Sequence, residues 1–254
     1  HDVALAFAAP FVSGKDSLNN VFAWTDRDGV ARERSIPPTL LATAMGQVDD
    51  VARTVTPAFT AAGQRLAIVG RTTADLAGSQ LERLGVVRGG RVPAVDLDAC
   101  RTQVRAVAAA VAARMVASCH DISDGGLVVA AAEMAIGGRL GCRLRLADVP
   151  ADLADTPSAA RALAVGCSES PGRFLCAVPA DAVDAFAATM DGTTWAWVGE
   201  VTAEPVVQIE GFDGAVESLP VERLAAAWRG AAQEPTTAAT SDRASTAGPS
   251  GGAR

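Results

Sequence analysis

Tyrosine is missing from this chain, and lysine occurs once, as Lys15; every other basic residue is arginine. Aromatic residues make up only 4% of the 254 positions, so a core must be assembled from Ala, Val and Leu, which are plentiful in a 49% apolar composition. No apolar run approaches the roughly 20 residues of a membrane span. The alanine-rich stretch from Val104 to Ala117 is interrupted by Arg105 and Arg114 and reads as a packed helix. Positive charge is scarce too: the net charge is −7, which argues against a nucleic-acid surface. The five cysteines contain no C-x-x-C pair and no framework spacing, which suggests reduced thiols in a cytoplasmic protein. With only two histidines, His1 and His120, a histidine-rich metal centre is excluded.

Several catalytic motifs are also missing. Gly14-Lys15 is not a Walker phosphate loop, because Ala9 stands where its first glycine belongs and Asp16 follows the lysine. No Gly-x-Ser-x-Gly or Gly-x-Cys-x-Gly elbow is present, so the chain offers no acyl-transfer or glutaminase nucleophile.

Three polar islands are present. The first is Pro10-Phe-Val-Ser-Gly-Lys-Asp-Ser-Leu-Asn-Asn20. An ammonium is a compact point charge that arginine does not replace. Beside Gly14, Lys15 suits a phosphate approached by bare backbone N–H groups; a solvated turn after a strand fits equally well. The second island is Ser118-Cys-His-Asp-Ile-Ser-Asp-Gly-Gly-Leu127. Asp121 and Asp124 are the oxygen donors that Mg²⁺ prefers, and Gly125-Gly126 at a helix start offers N–H groups to an anion. The alternative is an N-cap from Ser123 or Asp124. The third is Gly166-Cys-Ser-Glu-Ser-Pro-Gly-Arg-Phe174, in which Glu169 and the hydroxyls could meet a polar substrate, or Glu169 and Arg173 could pair at the surface.

Periodicity and turn residues predict an α+β chain with helices on a mixed sheet. Residues 1–8 read as the end of a helix, Pro10–Ser13 as a buried strand, and Val21–Trp24 with Val30–Ser35 as a hairpin about Asp26-Arg-Asp-Gly29. Thr39–Val48 reads as a strand. Strands are expected at Gln64–Val69, Ser118–Ile122, Cys142–Leu146, Phe174–Val178, Trp195–Val201 and Val206–Ile209. Helices are expected at Ala74–Leu84, Asp98–Val116, Leu127–Ile136, Ser158–Ala164, Ala180–Met190 and Val221–Trp228. An opening in mid-helix suggests a piece of a longer chain. From about Gly230 the composition turns to Thr, Ser, Ala, Gly and Pro, which predicts disorder.

Taken together with Ser35-Ile-Pro-Pro-Thr-Leu-Leu41 and Ala132-Glu-Met-Ala-Ile-Gly-Gly138, the three islands resemble the large synthetase subunit of phosphoribosylformylglycinamidine synthase. That family lies in the aminoimidazole ribonucleotide synthetase superfamily, with selenophosphate synthetase and thiamine-monophosphate kinase among its relatives. The resemblance covers roughly residues 1–228. It implies an incomplete PurM-like N-terminal β-layer over 1–55, the end of a second ATP-binding domain. A PurM-like C-terminal α/β domain over 56–228 and a disordered tail over 229–254 would follow. It further implies an ATP- and Mg²⁺-dependent ligase of purine biosynthesis, in which ATP phosphorylates the amide oxygen of formylglycinamide ribonucleotide and ammonia displaces the phosphate. The partners implied are the remainder of the synthetase chain, a separate glutaminase subunit supplying ammonia, and a small accessory subunit.

By position, Gly14 and Lys15 match a loop at the nucleotide, Ser123 a nucleotide contact and Asp121 a magnesium ligand. Ser17 matches a substrate-contacting serine, and Glu169 and Ser170 a segment that touches substrate. Two departures stand out: Lys15 occupies a place where some members carry a metal-binding Asn, and Ala77-Gly78-Ser79 stands where Gly-Gly-Ser is common. The resemblance leaves two alternatives: a non-catalytic half that holds a structural nucleotide, or another ATP-dependent synthetase or kinase of the superfamily.

Overall fold

A computed structural model describes residues 1–15 and 20–231. The chain opens with a short helix α1 (Asp2–Phe7), whose Ala6 carbonyl accepts from Arg101 Nη1 at 3.5 Å. A hairpin follows, β1 (Val21–Thr25) against β2 (Ala31–Ser35). Asp26 sets its turn by accepting the N–H groups of Asp28 and Val30, both at 3.0 Å, with Gly29 at φ +79°. Among the described residues no strand forms over 10–13 or 39–48, contrary to the pattern of their side chains. A strand requires a neighbouring edge, and none lies alongside these segments, so Phe11, Val12, Leu40, Leu41 and Met45 stand exposed.

From residue 59 onward the same kinds of side chain are interred. β3 (Arg65–Val69) is the apolar run Leu-Ala-Ile-Val, and every one of these four residues is buried. Two-residue β4 (Thr72–Thr73) leads to α2 (Gln80–Arg83), far shorter than the helix predicted over 74–84. Gly78 takes φ +76°, a left-handed conformation that interrupts the middle of the expected helix. Asp96 caps α3 (Leu97–Ala112) by accepting the Ala99 N–H at 3.0 Å, and the helix buries Cys100, Gln103, Val107 and Ala110 at helical spacing.

β5 (Ser118–Asp121) and α4 (Gly126–Gly138) come next, then β6 (Gly141–Arg145), two-residue β7 (Ala151–Asp152) beside β4, and α5 (Ser158–Cys167). β8 (Phe174–Val178), α6 (Val183–Thr189), β9 (Trp195–Thr202), β10 (Val206–Glu210), β11 (Val216–Pro220) and α7 (Val221–Ala231) complete the order. β11 had no sequence signal: Val-Glu-Ser-Leu-Pro is half polar, as suits an edge strand.

Seven strands form one mixed sheet in the order β11-β10-β6-β9-β3-β8-β5, with β10–β6 its parallel pair and the other pairs antiparallel. Alternation along β3 and β8 sends Leu66, Ile68, Leu175 and Ala177 into one core with α4, where Leu127 and Met134 are fully buried. Ala67, Val69, Cys176 and Val178 enter a second core that contains Val107 and Ala110 of α3 and Phe186 of α6. A strand buried on both faces reads as an unbroken apolar run, which is why β3 and β8 were legible. Each fully buried Leu or Ile contributes about 1.5–3 kcal/mol. Among the described residues, no helix is long and apolar enough to cross a membrane.

Candidate functional site

At the end of β5 the chain passes through Ile122, Ser123 and Asp124 to α4; on the adjacent strand, the loop from Ser168 to Arg173 enters β8. Between them lies an open cleft of about 310 Å³. Asp121, Ser123, Asp124, Glu169 and Arg173 are among its lining residues. Thus Asp121, Ser123 and Glu169, separated in sequence, share one cleft. Gly14 and Lys15 are not among the lining residues; Gly14 is exposed, with open space beside its Cα. Ser17 lies outside the described residues.

Glu169 has a task that its sequence did not reveal. One carboxylate oxygen, Oε1, accepts the backbone N–H of Gln80 and that of Gly125, both at 2.8 Å. It thereby ties the start of α2 to the start of α4. The Gly125 N–H, expected to be open to an external anion, is therefore held by the protein's own carboxylate, and the Gly126 N–H goes to the Ser123 carbonyl at 3.0 Å. Gly125, not Ser123 or Asp124, is the N-cap of α4, and no side chain caps it. Its neighbour must also be glycine. A Cβ on Gly126, at φ +75°, would sit 2.6 Å from the Cys167 carbonyl carbon and the Ser168 oxygen. The α5–β8 loop thus rests directly on the start of α4.

Arg173 does not pair with Glu169 at the surface. It is 1% exposed, and its guanidinium is directed at neutral acceptors: Nε donates to the Ser170 carbonyl at 2.9 Å, Nη1 to Thr72 Oγ1 at 2.8 Å and Nη2 to the Ser168 carbonyl. Burial pulls its pKa down to about 10, because desolvation penalises the charged form. Ser170 is buried as well; its hydroxyl accepts the Thr73 N–H at 2.9 Å and lies 2.8 Å from Ser168 Oγ. Arginine and two serines therefore fix the shape of the loop from within, while Glu169 reaches out from it.

Asp121 and Ser123 are exposed. Asp121 Oδ1 is 3.2 Å from His120 Nδ1, and the other ring nitrogen of His120 is 3.1 Å from Glu133 on α4, so the imidazole is held between two carboxylates. Gln80 Nε2 reaches Asp124 Oδ2 at 3.4 Å. Among the described residues no three His, Cys, Asp or Glu side chains come together as a metal cage. Sequence reasoning missed Gln80, Thr72 and Thr73 altogether. Each joins the loop through a contact with no local signature; Thr73 and Ser170 are 97 positions apart.

Residues 61–211 match the family described as AIR synthase related protein, C-terminal domain. The phosphoribosylformylglycinamidine synthase subunit PurL of Thermococcus sibiricus (strain DSM 12597 / MM 739) is 32% identical over 206 residues, which is 81% of this chain and 26% of that protein. Among solved structures, PurL of Thermotoga maritima complexed with FGAR superposes with a TM-score of 0.59 at 22% identity, over 69% of this chain and 30% of that one. The same protein complexed with ATP gives 0.56 at 23% identity, over 69% and 28%. PurLQS from that organism gives 0.57 at 23% identity, over 69% and 28%. The chain thus spans between a quarter and a third of the length of these relatives. It belongs to the AIR synthase related family, whose C-terminal domain it carries, and within that family it corresponds to the C-terminal portion of PurL.

Proposed function

We propose that this chain is the C-terminal part of a ligase of purine biosynthesis. The reaction is the ATP- and Mg²⁺-dependent amidation of formylglycinamide ribonucleotide to formylglycinamidine ribonucleotide. One observation carries the reading: in a chain of this family, Asp121, Ser123 and Glu169 converge on a single cleft. Mg²⁺ usually takes one or two carboxylates and completes its shell with phosphate oxygens and water. Exposed Asp121, with Asp124 nearby, is a donor set of that size, and Asp121 is the ligand we assign. The metal would supply charge neutralisation where carboxylates face phosphates. Ser123 would bond the nucleotide, Gly14 and Lys15 would lie along its phosphates, and Ser17 and the Glu169–Ser170 loop would face substrate.

We assign residues 1–55 to the end of an N-terminal ATP-binding domain, 56–228 to the C-terminal domain and 229–254 to a tail, with α7 running three residues past that boundary. The upstream part of the synthetase would cover the apolar side chains that residues 1–55 leave exposed. By the same resemblance, ammonia would come from a separate glutaminase subunit, with a small accessory subunit completing the assembly.

A full-length synthetase containing this segment is expected to release ADP in step with product when given formylglycinamide ribonucleotide, ATP, Mg²⁺ and ammonium. The 254-residue chain alone is expected to release none. Substrate-dependent turnover by the chain alone would overturn its assignment as a part. A second reading, that this half holds a nucleotide without turning it over, is favoured by the engagement of Glu169 with two backbone N–H groups. Under that reading, labelled nucleotide would stay bound through many turnovers of the full-length enzyme.

A further inference from the structure

Cys119 on β5 and Cys176 on β8 are direct partners across an antiparallel pair, and their Sγ atoms are 3.6 Å apart. The Cys119 N–H turns away from β8, to the Thr56 carbonyl at 3.2 Å. The two cysteines therefore occupy a position of the ladder without hydrogen bonds between them, where opposed Cα atoms lie about 4.5 Å apart and side chains come closest. That spacing falls within the range of about 4.4–6.8 Å that disulfides use. Closing a bond requires the sulfurs to approach from 3.6 Å to about 2.05 Å. Cys176 is fully buried, whereas Cys119 is part-exposed. All five cysteines are free thiols, and this is the one sulfur–sulfur contact among the described residues.

We propose that Cys119 and Cys176 form a reversible dithiol–disulfide pair, with Cys119 the entry point for an oxidised low-molecular-weight disulfide. The Cys119 thiolate attacks one sulfur of that reagent; its S–S bond breaks and one small thiolate leaves with the electron pair. Cys176 then gives up its proton and attacks Cys119 Sγ, displacing the second small thiolate. Two protein thiols are oxidised, one small disulfide becomes two thiols, and the two protons end on the released thiols. Alternation along β5 puts Cys119 on the same face as Asp121, so the cross-link would pin the strand that ends at the cleft to β8.

The test is incubation of the whole chain with excess oxidised glutathione, followed by thiol titration after denaturation and peptide mapping. The expected result is a fall from five free thiols to three, a Cys119–Cys176 cross-linked peptide, no retained glutathione, and recovery of five thiols with dithiothreitol. Cys176→Ala is expected to stop at one stable glutathione adduct on Cys119. Cys142→Ser, outside the pair, is expected to lose two thiols as before. Five surviving thiols, a lasting glutathione adduct in the unsubstituted chain, or a cross-link between other cysteines would each overturn the proposal.

Discussion

Residues 1–58 and residues 59–231 use similar apolar side chains to opposite effect. In the first region Leu40 and Met45 are 94% and 90% exposed; in the second Leu66, Ile68 and Leu175 are 0% exposed. Propensity does not separate them. What differs is the company each segment keeps. β3 has a strand on either side and a buried core on either face, whereas β1 and β2 form a two-strand hairpin, which is marginal by itself. An extensive exposed apolar surface marks an interface, and here it coincides with the part of the chain assigned to a domain completed elsewhere. Apolar content alone therefore does not fold a segment; a complementary layer must be at hand.

The largest effect is expected at the buried guanidinium of the second region. Arg173→Met keeps much of the volume but strips the Ser168 and Ser170 carbonyls and Thr72 Oγ1 of their donor. Leaving buried acceptors unsatisfied should cost about 3–5 kcal/mol, read as a lower urea midpoint. Wild-type stability in this variant would show that the loop is shaped by something else.

A matched pair of truncations addresses the contrast itself. Leu66→Ala should cost about 2–5 kcal/mol by opening a cavity under β3. Leu41→Ala, on a side chain already in water, should stay within about 0.5 kcal/mol. Equal losses at the two sites, measured by denaturation, would mean that the first region has a packed core after all. Smallest of all should be the effect of ending the chain after Ala231: a shift in melting temperature of about 1–2 °C, since the removed composition offers little to bury. A drop of about ten degrees would refute the assignment of that segment as a tail.

The sequence was most legible where structure is local. The Asp26–Gly29 turn carries its own hairpin instructions, and the runs at 65–69 and 174–178 are too apolar for anything but a buried strand. Strands at 10–13 and 39–48 were misread, because a strand is a relation between two segments and only one partner was visible. The helix expected over 74–84 shrinks to Gln80–Arg83 because Gly78 stands in the left-handed region, which the side-chain pattern does not reveal. At the cleft, residue types pointed to Asp121, Ser123 and Glu169, but their internal bonding was hidden. Glu169 reads equally well as a substrate contact or a surface ion, yet it bridges two helix starts; its bond to Gly125 spans 44 positions and that to Gln80 spans 89. Arg173 reads as a surface partner because arginine is rarely buried, and only the nearby carbonyls reveal that it is.

Asp121 is the residue on which the reading of the cleft turns, since it is exposed at the end of β5 and caps no helix. Asp121→Asn keeps its shape and removes its charge. Calorimetric titration of ATP into the full-length synthetase, with and without Mg²⁺, should show Mg²⁺-dependent binding weakened by a factor on the order of 10 or more, which corresponds to about 1.4 kcal/mol. The melting temperature should be unchanged. A variant that retains the full magnesium dependence would contradict the assignment of Asp121 as a metal ligand, and one that unfolds would make the carboxylate structural.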